Sequence, residues 1–233
     1  RPESMNSFNP GMLEEWLQAI EAAKAAPEVK VLIVTGAGRA FTSGGNIRGF
    51  VTERAGEPSA AEKLAQVREG SHRIPRTLLT LDKPYIGAIN GAATGGGMDM
   101  ASFCDIRIAS ERARFGMTYV RMGVVPGMGG CYLLPRIVGI ARACELVWTG
   151  RIIDAQEALR IGYVSQVVPH EELMPTVRGL ALKLARGPSV AIQLNKRLIY
   201  QGLLMDEESA LEAHRMAMLI CQNTEDAKEG PRA

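Results

Sequence analysis

Three glycines in a row, Gly95 to Gly97, followed two residues later by a lone acid, Asp99, stand between the apolar runs KPYIGAIN and DIRIAS. Glycine after a strand leaves a backbone N–H unhindered by any Cβ. A helix start gathers unpaired donors and the positive end of the dipole. A second such place, SGGN from Ser43 to Asn46, also follows a strand-like run and precedes a helical turn. Two turns of this kind can converge on one carbonyl oxygen and form an oxyanion hole. Asp99, next along the second turn, is the natural group to move a proton there. The competing reading of the glycines is structural, close packing of a strand against a helix.

Other chemistries lack their residues. VLIVTGAGRAF invites a dinucleotide reading, but the third fingerprint glycine would fall at Phe41. The five tyrosines are followed four residues later by Ile89, Gly123, Arg136, Val167 and Leu204, never by the lysine of a short-chain dehydrogenase. No GxxxxGK[ST] and no GxSxG occurs. Cys104, Cys131, Cys144 and Cys221 form neither a CxxC pair nor a metal-ligand spacing. They are expected to be buried free thiols in a reducing compartment.

The elements that must position these residues belong to an ordinary globular chain. Of 233 residues, 46% are apolar and 22% charged, and the net charge is +2. No block of five like charges suggests nucleic acid, and no apolar run reaches the eighteen residues of a membrane span. Asn9 is placed to cap a helix with Pro10 at its first position. Strands are expected at VKVLIVTGAG, KPYIGAIN, DIRIAS and YVSQVV. AFTSGGNIRGF reads as a loop turning into a short helix, and Thr52 to Ala60 as a polar mobile loop. One helix is expected from Ala61 to Leu81, another over ARACELVWTG ending at Gly150, and a third capped by Asp154. From Glu171 onward the chain reads helical, broken at Gly187-Pro188 and near Gly202. Alternating strands and helices predict an α/β fold with mostly parallel pairing.

Laid end to end, RPESMNSFNPGMLEEW, VTGAGRAFTSGGNI, KPYIGAINGAATGGGMDMASFCDIRIAS, ARFGMTYVRMGVVPGMGGCYLLPRIVG and TGRIIDAQEALRIGYVSQVV resemble successive blocks of the enoyl-CoA hydratase/isomerase (crotonase) superfamily. The closing EDAKEGPRA matches too. The resemblance implies a crotonase (ClpP-like) fold of repeated ββα units, with the core and its thioester site in residues 1–168 and a helical oligomerisation region in 169–233. It implies a coenzyme A thioester as substrate, no permanently bound cofactor and no metal. Against the family pattern a leading strand hairpin and the last few residues are expected to be absent, and a cytoplasmic or organelle-matrix location is expected.

Residue by residue, the resemblance assigns the oxyanion donors to the N–H groups of Gly45 and Gly96. It puts Ser43, Gly45, Asn46, Ile47, Arg48 and Gly96 at the substrate, with Arg48 toward a CoA phosphate. Hydratases of the family set two glutamates about a water; the first maps here to Asp99 and the second to Tyr119. A phenol with a reference pKa near 10 orients or donates but is a poor base. The dehalogenase branch's nucleophilic Asp would fall at Gly127. His72 lies where some branches place an active-site histidine, while Met98, Met100, Met117 and Met128 are expected in the core or the acyl pocket.

The expected activity is therefore that of an enoyl-CoA hydratase/isomerase-like enzyme holding a thioester enolate. Thioester hydrolysis or decarboxylation on the same hole, and a homologue that binds acyl-CoA without turnover, stay open as alternatives. The expected partners are an acyl-CoA and further copies of the chain, in a homotrimer or a dimer of trimers, with no nucleic acid or membrane.

Overall fold

A computed structural model describes residues 1–45 and 59–230. Asn46, Ile47, Arg48 and most of the expected polar loop, Thr52 to Pro58, lie outside the described residues.

The first helix, α1 (Pro10–Ala25), starts as its sequence dictates: the Asn9 side chain accepts from the Met12 N–H at 2.8 Å, and Pro10 needs no partner. The apolar run after it does not continue as one strand. It gives β1 (Leu32–Thr35), turns, and returns as β2 (Ala40–Thr42). Next come α2 (Ala60–Glu69) and α3 (Arg73–Leu79), then β3 (Tyr85–Ile89), β4 (Ala92–Thr94) and α4 (Gly96–Ser102). The unit then repeats as β5 (Ile106–Ser110), β6 (Arg114–Gly116), a 3-10 turn (Thr118–Met122) and α5 (Gly130–Val138). The chain continues through α6 (Ile140–Thr149), β7 (Ile153–Asp154), α7 (Ala155–Arg160) and β8 (Gln166–Val168). It ends in α8 (Leu173–Ala185), α9 (Ser189–Gly202), α10 (Glu207–Gln222) and α11 (Glu225–Glu229).

From β1 to β6, consecutive strands go to different sheets. One sheet has the order β1-β3-β5-β8, all parallel; the other has β2-β4-β6-β7, antiparallel only at β6–β7. Each repeat thus gives its long strand to one sheet and its short strand to the other. Asn90 ties two of the crossings together, accepting from the Gly36 N–H at 3.1 Å and donating to the Gly38 carbonyl at 2.9 Å.

Between and around the sheets the apolar side chains form three clusters. Phe41, Ile89, Met98, Phe115, Met117 and Leu134 lie in the one that holds the site end of α4. Val177 and Ala181 of α8 pack on Ile86, Ala88 and Ile108 of the parallel sheet. So the first helix of the expected oligomerisation region is core, and the chain leaves the core at α9. Leu180 and Leu184 pack against that core, whereas Leu203, Leu211 and Met218 are exposed.

Several local expectations are corrected. The helix expected over Ala61 to Leu81 breaks at Gly70–His72, where the His72 N–H donates back to the Val67 carbonyl at 3.0 Å in a helix-ending bond. AFT is strand rather than loop, because it pairs with β4 and is wholly buried. Of the four cysteines only Cys104 is buried; Cys131 is exposed on α5, and Cys144 and Cys221 are half-buried. Asp154 does cap its helix, accepting from the Glu157 N–H at 2.8 Å. Among the described residues no helix is long and apolar enough to cross a membrane.

Candidate active site

The first donor loop is held from the amino terminus. Met5 and Asn6 both have φ of 53°, which bends the chain so that the Ser43 N–H donates to the Met5 carbonyl (3.0 Å) and the Phe8 N–H to the Gly44 carbonyl (2.7 Å). Thr42 joins the brace, donating its hydroxyl to the Asn6 carbonyl at 2.7 Å and accepting from the Gly44 N–H at 3.0 Å. The Ser43 carbonyl accepts from Thr94 Oγ1 at 3.4 Å. The Gly45 N–H is left with no acceptor among the described residues.

The second turn is set by Gly95, whose φ of 53° and ψ of −122° suit only glycine, and whose N–H donates to the Gly116 carbonyl at 2.8 Å. Gly96 is the first residue of α4, so its N–H has no partner within the helix and none among the other described residues. The two turns abut. A Cβ on Gly44, itself at φ +81°, would stand 2.6 Å from the Gly96 nitrogen. The close packing expected as the bland role of the glycines is also present, at Gly97, where a Cβ would lie 2.2 Å from the Thr42 carbonyl oxygen.

Asp99 follows in the first turn of α4 with 0% of its surface exposed. Its Oδ2 accepts from the Tyr119 hydroxyl at 2.6 Å and from the Met128 N–H at 3.1 Å. Its Oδ1 is buried with no partner among the described residues, pressed against Gly130, where a Cβ would stand 2.1 Å away. Burial raises the carboxyl pKa, the two hydrogen bonds pull it down, and burial wins, leaving it at about 6. Burial and the Asp99 charge beside it push the Tyr119 phenol far above its usual value. The hydroxyl therefore stays protonated and donates to the carboxylate. Tyr119 is only partly buried, and its oxygen is the polar atom facing Gly96, 3.4 Å from where a Cβ there would stand.

The structure thus brings together Gly45, Gly96, Tyr119 and, behind Tyr119, Asp99. It does not bring His72 to the carboxyl; that ring meets the Gly127 carbonyl at 2.7 Å. Met98, Met100, Met117 and Met128 are all buried, as expected. Three contributors escaped the sequence reading: Gly44, Gly130 and the Met128 N–H. Each acts through backbone or through the lack of a side chain, and such roles leave little trace in a single sequence.

Two abutting donor turns at the strand ends of a ββα repeat, with a buried acid one turn along, define an acyl-thioester enzyme of the crotonase type. The sequence profile described as Enoyl-CoA hydratase/isomerase matches residues 1–233, and the chain belongs to that family. Among its relatives are the crotonyl-CoA hydratase of Syntrophomonas wolfei, 37% identical over 234 residues and covering 100% of this chain and 88% of the relative, and the short-chain-enoyl-CoA hydratase of Clostridium acetobutylicum, 38% identical over 234 residues with 100% and 87% covered. The crystal structure of an enoyl-CoA hydratase from Bacillus anthracis superposes with a TM-score of 0.92 at 35% identity, covering 100% of this chain and 88% of that one. The protein is an enoyl-CoA hydratase-like, acyl-CoA-processing enzyme.

Proposed function

We propose that this enzyme adds water reversibly to a 2-enoyl-CoA thioester, using the Asp99–Tyr119 pair as its one proton-transfer unit. The thioester oxygen is held by the N–H groups of Gly45 and Gly96, which strengthen their hold as the oxygen takes on enolate charge. Ser43 and the segment Asn46, Ile47 and Arg48 bind the coenzyme A portion, which enters as part of the substrate.

One observation carries the reading: the Tyr119 hydroxyl bonds to Asp99 and also faces Gly96. As a water attacks the β-carbon, Tyr119 Oη takes its proton and passes its own to Asp99 Oδ2. The new C–O bond leaves the electron pair on the thioester enolate. The proton then returns from Asp99 through Tyr119 to the α-carbon, and the enolate collapses to the 3-hydroxyacyl thioester. A carboxyl whose pKa is raised to about 6 can both accept and return that proton.

The test is spectroscopic. Crotonyl-CoA should lose its conjugated enoyl absorbance and yield 3-hydroxybutyryl-CoA. Gain of conjugation from a 3-enoyl-CoA without hydration would make the reaction an isomerisation, since moving a proton between carbons needs no water. Free thiol would point to hydrolysis. Binding with no change in any substrate would reduce the protein to an acyl-CoA-binding homologue.

The apolar side chains left exposed by α9 and α10, Leu203, Leu211 and Met218 among them, motivate a second part of the proposal, assembly as a trimer or a pair of trimers. Exposed apolar surface of this kind favours contact with another copy. Sedimentation at micromolar concentration should give a multiple of three chains; a clean 25.2 kDa species would rule the assembly out.

A further inference from the structure

Asp99 is fixed by a peptide group that is itself fixed from outside. The Gly127–Met128 peptide donates its N–H to Asp99 Oδ2 at 3.1 Å. The carbonyl of the same peptide lies 2.7 Å from Nε2 of His72. A carbonyl only accepts, so this nitrogen carries the proton and the ring is held as the Nε2–H tautomer or the cation. His72 stands at the cap of α3, 27 residues before Asp99 in sequence and on a different element. The residue is half-buried, and its bond to the Gly127 carbonyl is exposed to solvent.

From this bridge we infer that His72 is a positioning residue for the reaction: by gripping the Gly127 carbonyl it orients the Met128 N–H onto Asp99. The inference rests on the proposed proton-transfer role of Asp99, and it adds a residue that acts only through another. The segment it grips needs gripping. Residues 123–129 carry no helix or strand, include three glycines and hold Val124 and Val125 exposed to solvent. The buried Met128 side chain holds this peptide from one side; without the histidine its carbonyl end loses that anchor, and the N–H is less firmly aimed at the carboxylate. Polarising the carbonyl also strengthens the N–H as a donor, because hydrogen bonds in a chain reinforce each other.

The titratable groups near the bridge are few. Tyr119 bonds to Asp99, Cys131 on α5 and Tyr163 before β8 feel its charge, and Arg73 beside His72 is paired with Glu14 of α1. Of these only Tyr119 touches the carboxyl, and it also meets the Gly127 backbone, so a change in the His72 bond reads out on Asp99 both directly and through Tyr119.

The experiment compares wild type, His72→Ala and His72→Gln. His72→Ala should lower kcat on the best thioester roughly tenfold to a hundredfold while leaving KM within about twofold, since displaced catalytic groups cost rate rather than binding. His72→Gln, whose amide can donate to the same carbonyl, should recover most of the loss. Carbon-13 NMR of labelled aspartate supplies a readout free of turnover: losing the Met128 donor removes a bond that favours the ionised form, so the Asp99 pKa should rise in His72→Ala and return in His72→Gln. If no thioester is turned over but this titration shifts, the hydratase reading falls and the positioning role stands. An unshifted titration together with unchanged kcat overturns the positioning role. Should His72→Ala not fold, nitrogen-15 NMR of the wild type decides: a protonated Nε2 coupled to the Gly127 carbonyl supports the bridge, and an unprotonated Nε2 overturns it.

Discussion

The hydroxyl of Tyr119 lies 2.6 Å from one oxygen of Asp99, and the other oxygen of that carboxyl is buried without a partner among the described residues. A sequence reading makes Asp99 the group that meets the substrate and Tyr119 an accessory. The arrangement reverses their order. Tyr119 faces Gly96 and Asp99 sits behind it, which in the proposed mechanism makes Asp99 the store that takes the proton. The shorter acid and the phenol, which the resemblance maps to the family's two glutamate positions, are hydrogen-bonded to each other, and the proposed mechanism uses them as one unit.

Removing the store should stop the reaction without disturbing binding. Asp99→Asn keeps the shape but cannot hold the proton, so kcat should drop about a hundredfold or more. Affinity for coenzyme A should be nearly unchanged. Steady-state kinetics with crotonyl-CoA, alongside calorimetry with an unreactive thioester, separates the two effects.

The same carboxyl makes a prediction about stability. Its pKa in the fold, about 6 against an ordinary 3.8, means that the folded state prefers it protonated. The stabilisation is therefore full below about pH 4, is lost as pH climbs through about 6, and is flat above that. At about 1.4 kcal/mol per pH unit the full swing is on the order of 3 kcal/mol. Melting temperatures of wild type minus Asp99→Asn should fall across that window. A difference independent of pH would show that the carboxyl ionises as it does in water. For the hydration direction, which uses the ionised carboxylate, kcat/KM should rise with pH through the same region.

Tyr119→Phe tests whether the two residues share one task. If the proton passes through the phenol, the single variants should lose similar amounts, and the double variant should be little worse than either. Additive losses would mean that Asp99 reaches the substrate independently.

The oxyanion loop offers a contrast between neighbouring glycines. Nothing among the described residues lies within 4 Å of a Cβ on Gly45, and alanine there keeps the N–H, so Gly45→Ala should retain activity within a few-fold. Gly44→Ala adds a Cβ 2.6 Å from the Gly96 nitrogen at a left-handed φ, forcing the donors apart, and should cost at least a hundredfold in kcat. Gly96→Pro deletes a donor outright and should abolish turnover in a protein still folded by circular dichroism. Equal activity in all three would dismiss the oxyanion assignment.

How far the sequence revealed this depends on the kind of signal. LIVT and YIGAI are nearly continuous apolar runs and IRIAS is apolar but for Arg107 and Ser110; with β8 they form the parallel sheet as expected. AFT, AAT and RFG are three residues each, too short to show a period, and their strand character comes from pairing with one another. The second sheet was therefore visible only through family resemblance. In the candidate site, the two glycine turns and Asp99 stand out as residue types at short spacings, whereas the choice of Gly45, Gly96 and Tyr119 came from the family resemblance. That Tyr119 covers Asp99, and that His72 reaches the Gly127 carbonyl across 55 residues of chain, depends on how loops pack, and no local pattern encodes it.

The last prediction asks whether the family's longer acid could be restored. Asp99→Glu adds one methylene to a side chain whose Oδ1 already lies within contact of Gly130, where a Cβ would come to 2.1 Å. The Met117 methyl crowds the same spot, 2.9 Å from that Cβ position. The extra carbon would have to drive the carboxyl into Tyr119, already only 2.6 Å away, and force the phenol aside, or displace the start of α5. Overpacking of a filled core of this kind typically costs about 1–3 kcal/mol. Asp99→Glu should therefore melt earlier than wild type and turn over crotonyl-CoA more slowly. Pairing it with Tyr119→Phe, which vacates the hydroxyl's place, should recover part of the stability but not the rate, because the relay has lost its middle member. A single Asp99→Glu variant as fast and as stable as wild type would falsify the packing account of why this chain uses the shorter acid.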